Sequence, residues 1–449
     1  MPSLFPVLTD RSLVIIFAFA PAGLGHLRVT KALYDGLPKE VTPILLGTQD
    51  KSITIIHRLM STHVLLKNIM EWSQNGFLEG LFADVYRMYL RKRSKKLKSQ
   101  LLTILDERID VPSKILIVAT HFGLAHAIAT IKDELADARH IAIKLVVVVT
   151  DDSPQKIWYV PNSDLTVVPS SYTKNELIRY GQEKGLDPLS FVVCPYPVSP
   201  LLSHLLPINL QNIRMQQLNP LHSNKIEIAI PISGVAVGTN LIKTLIDEIK
   251  NKINYVNFHV VAKTSSFTEK FLEDLMDRKY VKIHTASHDR QIVNTYEDVY
   301  RNNVIALEIT KPSEQAFKAL LSPCEAGGSV LLFLNPVGRQ EYDNLNFLKK
   351  HRLIPTDEDQ EFLYQSALKN KKLEGVDKKE LEEKSRFWRG VRLPESALEA
   401  ANFINYLYQN KILFYMSDPT NPCSYFHSSK NEMGSNGAER FWQTVSEFL

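Results

Sequence analysis

The sequence predicts an α/β protein of two Rossmann-like, doubly wound parallel sheets facing a central cleft. Short Val- and Ile-rich runs recur without polar alternation, as strands buried on both faces require. The pattern occurs twice, on either side of SPLLSHLLPINLQNIRMQQLNPLHSN, whose prolines, Asn and Gln read as a linker. At 449 residues the chain is also too long for one core, and two domains of about 200 residues are expected.

The first strand, LVIIFAFA (13–20), runs into a glycine turn and an amphipathic helix with Leu27, Leu33 and Leu37 on its inward face. TPILLG (42–47) follows. Residues 54–105 hold no strand signal and read as a helical insertion. Its end, VYRMYLRKRSKKLKSQ, carries seven Lys or Arg and no acid. That run is either a solvated face or, through Arg91, Lys92, Arg93, Lys95 and Lys96, a surface for anionic lipid. KILIVAT (114–120), IKLVVVVT (143–150), LTVVPS (165–170) and FVVCPY (191–196) complete the first set. The second set is KIEIAI (225–230), NFHVVAK (257–263), YVKIHT (280–285), NVIALEIT (303–310) and SVLLFLNP (329–336). A Ser/Asn/Gly-rich loop then precedes a last helix, AERFWQTVSEFL. The expected division is 1–205, a linker at 206–222, 223–395, and C-terminal helices at 396–449 that return to the first domain.

Hydrophobic residues make up 44%, charged residues 23%, and the net charge is +4. This is a globular composition, and so mild a basic excess does not argue for nucleic acid. Cys194, Cys324 and Cys423 are far apart and form no CxxC, so neither a disulfide framework nor a zinc site is expected, and a reduced cytoplasmic setting fits. The N-terminal apolar run lacks a basic leader, and the apolar runs fall well short of the ~20 residues that span a bilayer.

Three stretches could carry chemistry. In the first turn, Gly23 and Gly25 allow close backbone approach and His26 can meet a reacting group. Arg28 stands where GxGxxG needs its third glycine, which disfavours a dinucleotide. In VVVVTDDSPQKIWYVPNSD, Asp151 and Asp152 stand at a strand's carboxyl end and point to opposite sides, so they do not share a metal. Trp158 walls the same crevice. In the third stretch Thr310 and Lys311 follow a strand directly, and Lys311 can meet a phosphate. Gly327 and Gly328 precede the next strand. Glu314 or Glu341 can accept from ribose hydroxyls, while Gln340 and Asn344, four apart on a helix, can bond a sugar or base. The DED of PTDEDQEFL is a capped helix start after Thr356, and no metal is expected.

These residues resemble the GT-B glycosyltransferases of family 28, the group of monogalactosyldiacylglycerol synthase, processive diacylglycerol glucosyltransferases and the peptidoglycan N-acetylglucosaminyltransferase. The resemblance rests on Gly23-Leu24-Gly25-His26, Thr150-Asp151, Trp158, Val168-Pro169-Ser170, CPYPVSP, Thr310-Lys311-Pro312, Gly327-Gly328-Ser329, Pro336 and Gln340-Glu341-Asn344, in family order over most of residues 10–350. The sequence departs from the family where Ser313-Glu314-Gln315 replaces the glycine loop after Thr-Lys, and about three extra residues precede Gly327. The resemblance implies transfer of a hexosyl group from a nucleotide-diphosphate sugar, UDP-linked, to an acceptor hydroxyl with inversion. It implies no cofactor beyond that substrate, and an acceptor on a membrane lipid met at the inner face of the membrane. His26 or Asp151 would serve as base; Ser233, Gly234 and Lys311 would stabilise the diphosphate; Lys263, Thr310, Glu314, Gly328, Gln340, Glu341 and Asn344 would complete the donor site. Two alternatives stay open. One is a degenerate GT-B module that binds a nucleotide or partner without turnover. The other is a nucleotide-sugar epimerase or hydrolase, for which His121 and His126 supply extra histidines.

Overall fold

The computed structural model describes residues 5–20, 24–47, 94–95, 97–107, 112–232, 236, 238–420 and 431–449. Met1–Ser199 with Lys430–Glu432 and Asn436–Leu449 form one unit; Pro200–Ser429 with Met433–Ser435 form the other.

The first unit contains β1 (Leu13–Phe19), α1 (Leu24–Asp35), β2 (Ile44–Gly47), β3 (Lys114–Ala119), α2 (Phe122–Arg139), β4 (Ala142–Val148), β5 (Leu165–Val168), α3 (Ser171–Glu183) and β6 (Phe191–Val193). Its sheet order is β2-β1-β3-β4-β5-β6, and every pairing is parallel. Val14 to Phe19 of β1 and Ile115 to Ala119 of β3 are all buried, which explains why neither strand alternates. The chain passes from β1 to β2 on one side and returns to β3 on the other. The carboxyl ends of β1 and β3 therefore form the switch point where such folds hold ligands. His140 ends α2 in the left-handed conformation, with φ +54°. Residues 97–106 are helical, with Leu97 and Leu101 in this core; most of the expected insertion lies outside the described residues.

The second unit contains α4 (Pro200–Ser203), α5 (Ile208–Gln217), β7 (Ile226–Pro231), α6 (Thr239–Lys252), β8 (Val256–Lys263), α7 (Glu269–Met276), β9 (Val281–Ala286), α8 (Asp289–Asn302) and β10 (Leu307–Thr310). A 3-10 segment, Glu314–Leu320, leads to β11 (Val330–Phe333), α9 (Arg339–Lys350), α10 (Asp357–Leu368), α11 (Gly375–Ser385), β12 (Gly390–Arg392), α12 (Ala397–Gln409) and α13 (Ile412–Met416). The order β12-β11-β10-β7-β8-β9 is again wholly parallel, with its switch point between β7 and β10. Both units are thus doubly wound α/β sheets of six strands.

Three features differ from the sequence expectation. Residues 206–222, expected as a linker, contain α5, held to the second unit by a buried arginine rather than an apolar stripe. β12 is three residues long, too short to announce itself. Its Gly390 is required because a Cβ there would stand 2.6 Å from the Phe333 ring and 2.9 Å from Leu331 O. Of the helices at 396–449, α12 and α13 belong to the second core through Phe403, Ile404, Leu407 and Leu413. Among the described residues, only the last helix, α14 (Gly437–Phe448), packs on α1, where Trp442 Nε1 donates to Leu33 O at 2.7 Å.

Candidate functional site

Each unit carries a polar cluster on the carboxyl edge of its sheet. In the first, α1 begins five residues after β1 and brings a half-buried His26 to the switch point. Its Nδ1 is 3.1 Å from Thr150 Oγ1, beyond the end of β4. Tyr196 fixes Thr150 from behind by donating its hydroxyl to Thr150 O at 3.1 Å. Thr30 donates to His26 O at 2.7 Å, one helical turn back, and so accepts from Thr120 Oγ1, also at 2.7 Å. That last bond ties α1 to the end of β3. A tautomer with its proton on Nδ1, donated to Thr150, makes Nε2 the basic nitrogen of His26.

Aromatic rings enclose this histidine. His121 lies edge-on to it at 5.1 Å, Trp158 is tilted toward it at 6.4 Å, and Phe122 stands against Trp158 at 5.5 Å. Trp158 is buried, and its Nε1 has no partner among the described residues; neither has the buried Gln155 Nε2. Their turn is pinned from α2 by His126 Nε2, 2.8 Å from Ile157 O.

The two adjacent aspartates, in the bend after β4, have different partners. Asp151 is buried and accepts from Ser153 N at 3.1 Å. Asp152 accepts from Thr173 Oγ1 at 2.7 Å and from Ser170, which in turn caps α3 through Thr173 N. Gly25 stands beside His26 at the start of α1, while Gly23 lies outside the described residues.

In the second unit Thr310 ends β10 buried, and the half-buried Lys311 follows it at the switch point. Ser233 and Gly234, which follow β7 in sequence, lie outside the described residues. Beyond them Ala236 takes φ +53° and Gly238 φ +84° before α6 starts. On the same edge, an open groove of about 520 Å³ lies at the ends of β8 and β9 and the first turns of α8. Thr264, Thr285, Ser287, Gln291, Asn294 and Thr295 line it, all uncharged hydrogen-bonding side chains. At the end of β8, Lys263 Nζ pairs with Asp289 at 2.8 Å.

Several residues expected as donor ligands have partners within the fold. Glu341 accepts from Val337 N at 2.7 Å, and the buried Asn344 donates to Pro312 O at 3.1 Å. Gly328 donates to Glu325 O and its carbonyl accepts from Arg389 at 2.5 Å. A Cβ at Gly328 would lie 1.9 Å from Ser322 O, so packing alone demands glycine there. Glu314 opens the 3-10 segment half-buried, and Gln340 is exposed on the first turn of α9. Of the basic run, Lys95 is exposed; Arg91, Lys92, Arg93 and Lys96 lie outside the described residues.

Sequence reasoning missed the supports of the 321–329 loop. Arg214 donates to the carbonyls of Ile305, Pro323, Glu325 and Ala326, and Arg389 to those of Leu321, Gly328 and Met416. Burial lowers both guanidinium groups, to about 10 and about 9. Within the loop, burial lifts the Glu325 carboxyl to about 7, against a bond from Ser322 N at 2.6 Å. Nothing in one-dimensional spacing distinguishes such arginines from surface ones.

Among the described residues no group of three or more His, Cys, Asp or Glu side chains could hold a metal, and no helix is long and apolar enough to cross a membrane.

No family model matches the sequence, and no curated protein matches it. Solved structures resemble it distantly over nearly the whole length. UDP-GlcNAc 2-epimerase from Neisseria meningitidis, bound to UDP-GlcNAc, is 13% identical at a TM-score of 0.47, covering 97% of this chain and 99% of its own. A UDP-glucosyltransferase from Polygonum tinctorium capable of glucosylating indoxyl is 12% identical, with a TM-score of 0.44 and coverage of 97% and 98%. MurG of Acinetobacter baumannii is 10% identical, with a TM-score of 0.44 and coverage of 97% and 99%. The assignment of two doubly wound sheets rests on their own strand orders.

Proposed function

We propose that the chain is a GT-B glycosyltransferase moving a hexosyl group from a UDP-sugar to an acceptor hydroxyl on a membrane lipid, with inversion. The observation that carries this reading is the second unit's carboxyl edge. Lys311 stands at the switch point of that sheet, on the same edge as an uncharged hydrogen-bonding groove. The cation suits a leaving diphosphate, and the groove's hydroxyls and amides suit a neutral nucleoside. The N–H groups of Ser233 and Gly234 would add to that charge stabilisation, with Gln340 reaching the sugar.

In the first unit, His26 would take the acceptor proton on Nε2 while Thr150 holds Nδ1, and Trp158 would wall the acceptor. Asp151 is the alternative base. The exposed Lys95 and its basic neighbours in sequence would rest on anionic lipid.

A screen of UDP-sugars with lipid hydroxyl acceptors tests the reading. Glycolipid should form with UDP release, and His26→Ala should reduce turnover about 10²–10⁴-fold with an unchanged melting temperature. Turnover that yields only free sugar or an epimerised nucleotide sugar would favour the epimerase or hydrolase reading. A second reading, nucleotide binding without turnover, draws on the loop after Lys311. There Asn344 ties down Pro312 O, and Glu314 places an acid three residues from the cation. Tight UDP binding with every UDP-sugar left intact would favour it.

A further inference from the structure

Glu308 lies in the middle of β10, a central strand, and is fully buried. An ionised carboxylate there is costly unless it is paired and hydrogen-bonded. Its Oε2 receives three donors: Lys318 Nζ at 2.7 Å, Tyr296 Oη at 2.7 Å and Tyr300 Oη at 2.5 Å. Lys318 is itself buried, with its Nζ 4.0 Å from the Tyr300 ring centroid and 5.4 Å from that of Tyr296. Tyr300 also bonds Ser329 Oγ at 3.0 Å, just before β11. Three pieces of the second unit thus meet on one carboxylate, β10, α8 and the 3-10 segment, and the entry to β11 joins them through Tyr300.

What this network encloses gives it meaning. Between Glu308 and Lys318 the chain runs through Thr310, Lys311, Pro312, Ser313 and Glu314, so the ion pair closes a short loop that carries Lys311. Asn344 pins Pro312 O, in the same loop, from α9. On α8, Gln291, Asn294 and Thr295 line the groove, and Tyr296 is the next residue. The groove wall and the Lys311 loop therefore share one buried anchor.

We propose that Lys318 and Glu308 are positioning residues, which hold Lys311 at the switch point and fix it relative to the groove on α8. The assignment of a nucleotide to that edge rests on the proposed function; the positioning itself does not. A structural ion pair with no bearing on the site would stabilise the fold and leave Lys311 indifferent to it.

Replacing both charges together, Glu308→Gln with Lys318→Met, leaves no buried ion unpaired, so the full chain should fold with a melting temperature near that of the wild type. Amide hydrogen exchange at 311–317 should quicken about tenfold, while β7 and β8 keep their protection. UDP should bind about tenfold more weakly. Adding Lys311→Ala to this variant should cost less than twofold more, although Lys311→Ala alone costs about tenfold. Unchanged exchange at 311–317, or costs that multiply, would overturn the proposal. If the double variant does not fold, Tyr300→Phe removes one bond to Glu308 without touching a charge. It should quicken exchange in the same loop severalfold, and exchange equal to the wild type's would count against the proposal. If the wild type binds no UDP, the donor reading falls, and the exchange comparison still decides the positioning.

Discussion

Burial holds the Glu325 carboxyl at about 7, against an ordinary 4.5. The folded chain therefore keeps a proton there that the unfolded chain has already lost. Stability from this group is complete below about pH 4.5 and declines as pH rises toward 7, by up to about 3 kcal/mol. Glu325→Gln cannot ionise. In urea unfolding, its stability relative to the wild type should rise by about that amount between pH 5 and pH 8. A constant difference across this range would contradict the account. At this scale the sequence is readable where a residue's neighbours are also its chain neighbours. His26 stands out because a buried strand and the run Gly23-Leu24-Gly25 in the sequence lead straight to it. Arg214 and Arg389 do not, because their partners are backbone carbonyls up to a hundred or so residues away, and the burial that lifts Glu325 comes from packing that its own segment does not announce.

Among the elements, α3 depends on an acid that lies outside it. Asp152 accepts from Ser170, the capping residue, and from Thr173 in the first turn. Asp152→Ala would leave two buried hydroxyls without their acceptor and should cost about 2 kcal/mol in chemical denaturation. A loss below about 0.5 kcal/mol would show that the cap stands without it. The strands were legible for one reason: burial on both faces forbids polar alternation, and β1, β3 and β11 carry that signature in their residues. α5 was not, because its docking comes from Arg214 and Gln217 reaching carbonyls, and its exposed Ile208 and Ile213 break the usual stripe. β12 gave too few residues for any period to show.

Across the whole molecule, the duplication of the strand pattern in sequence foretold two parallel six-stranded sheets, and each sheet's connections define one switch point. The sequence also puts chemistry-bearing residues at those points, His26 after β1 and Lys311 after β10. The network beneath Lys311 stayed hidden because Glu308, Tyr296, Tyr300, Lys318 and Ser329 have no common period; only the packing of α8 and the 3-10 segment beside β10 unites them. In the proposed function, the second unit's edge binds a nucleotide diphosphate through Lys311. Calorimetric titration of uridine diphosphate into the full chain and into Lys311→Ala tests it most directly. Saturable one-site binding is expected, weakening about tenfold in the variant through the loss of one charge-assisted contact to phosphate. No binding to the wild type, or equal affinity in the two proteins, would contradict it.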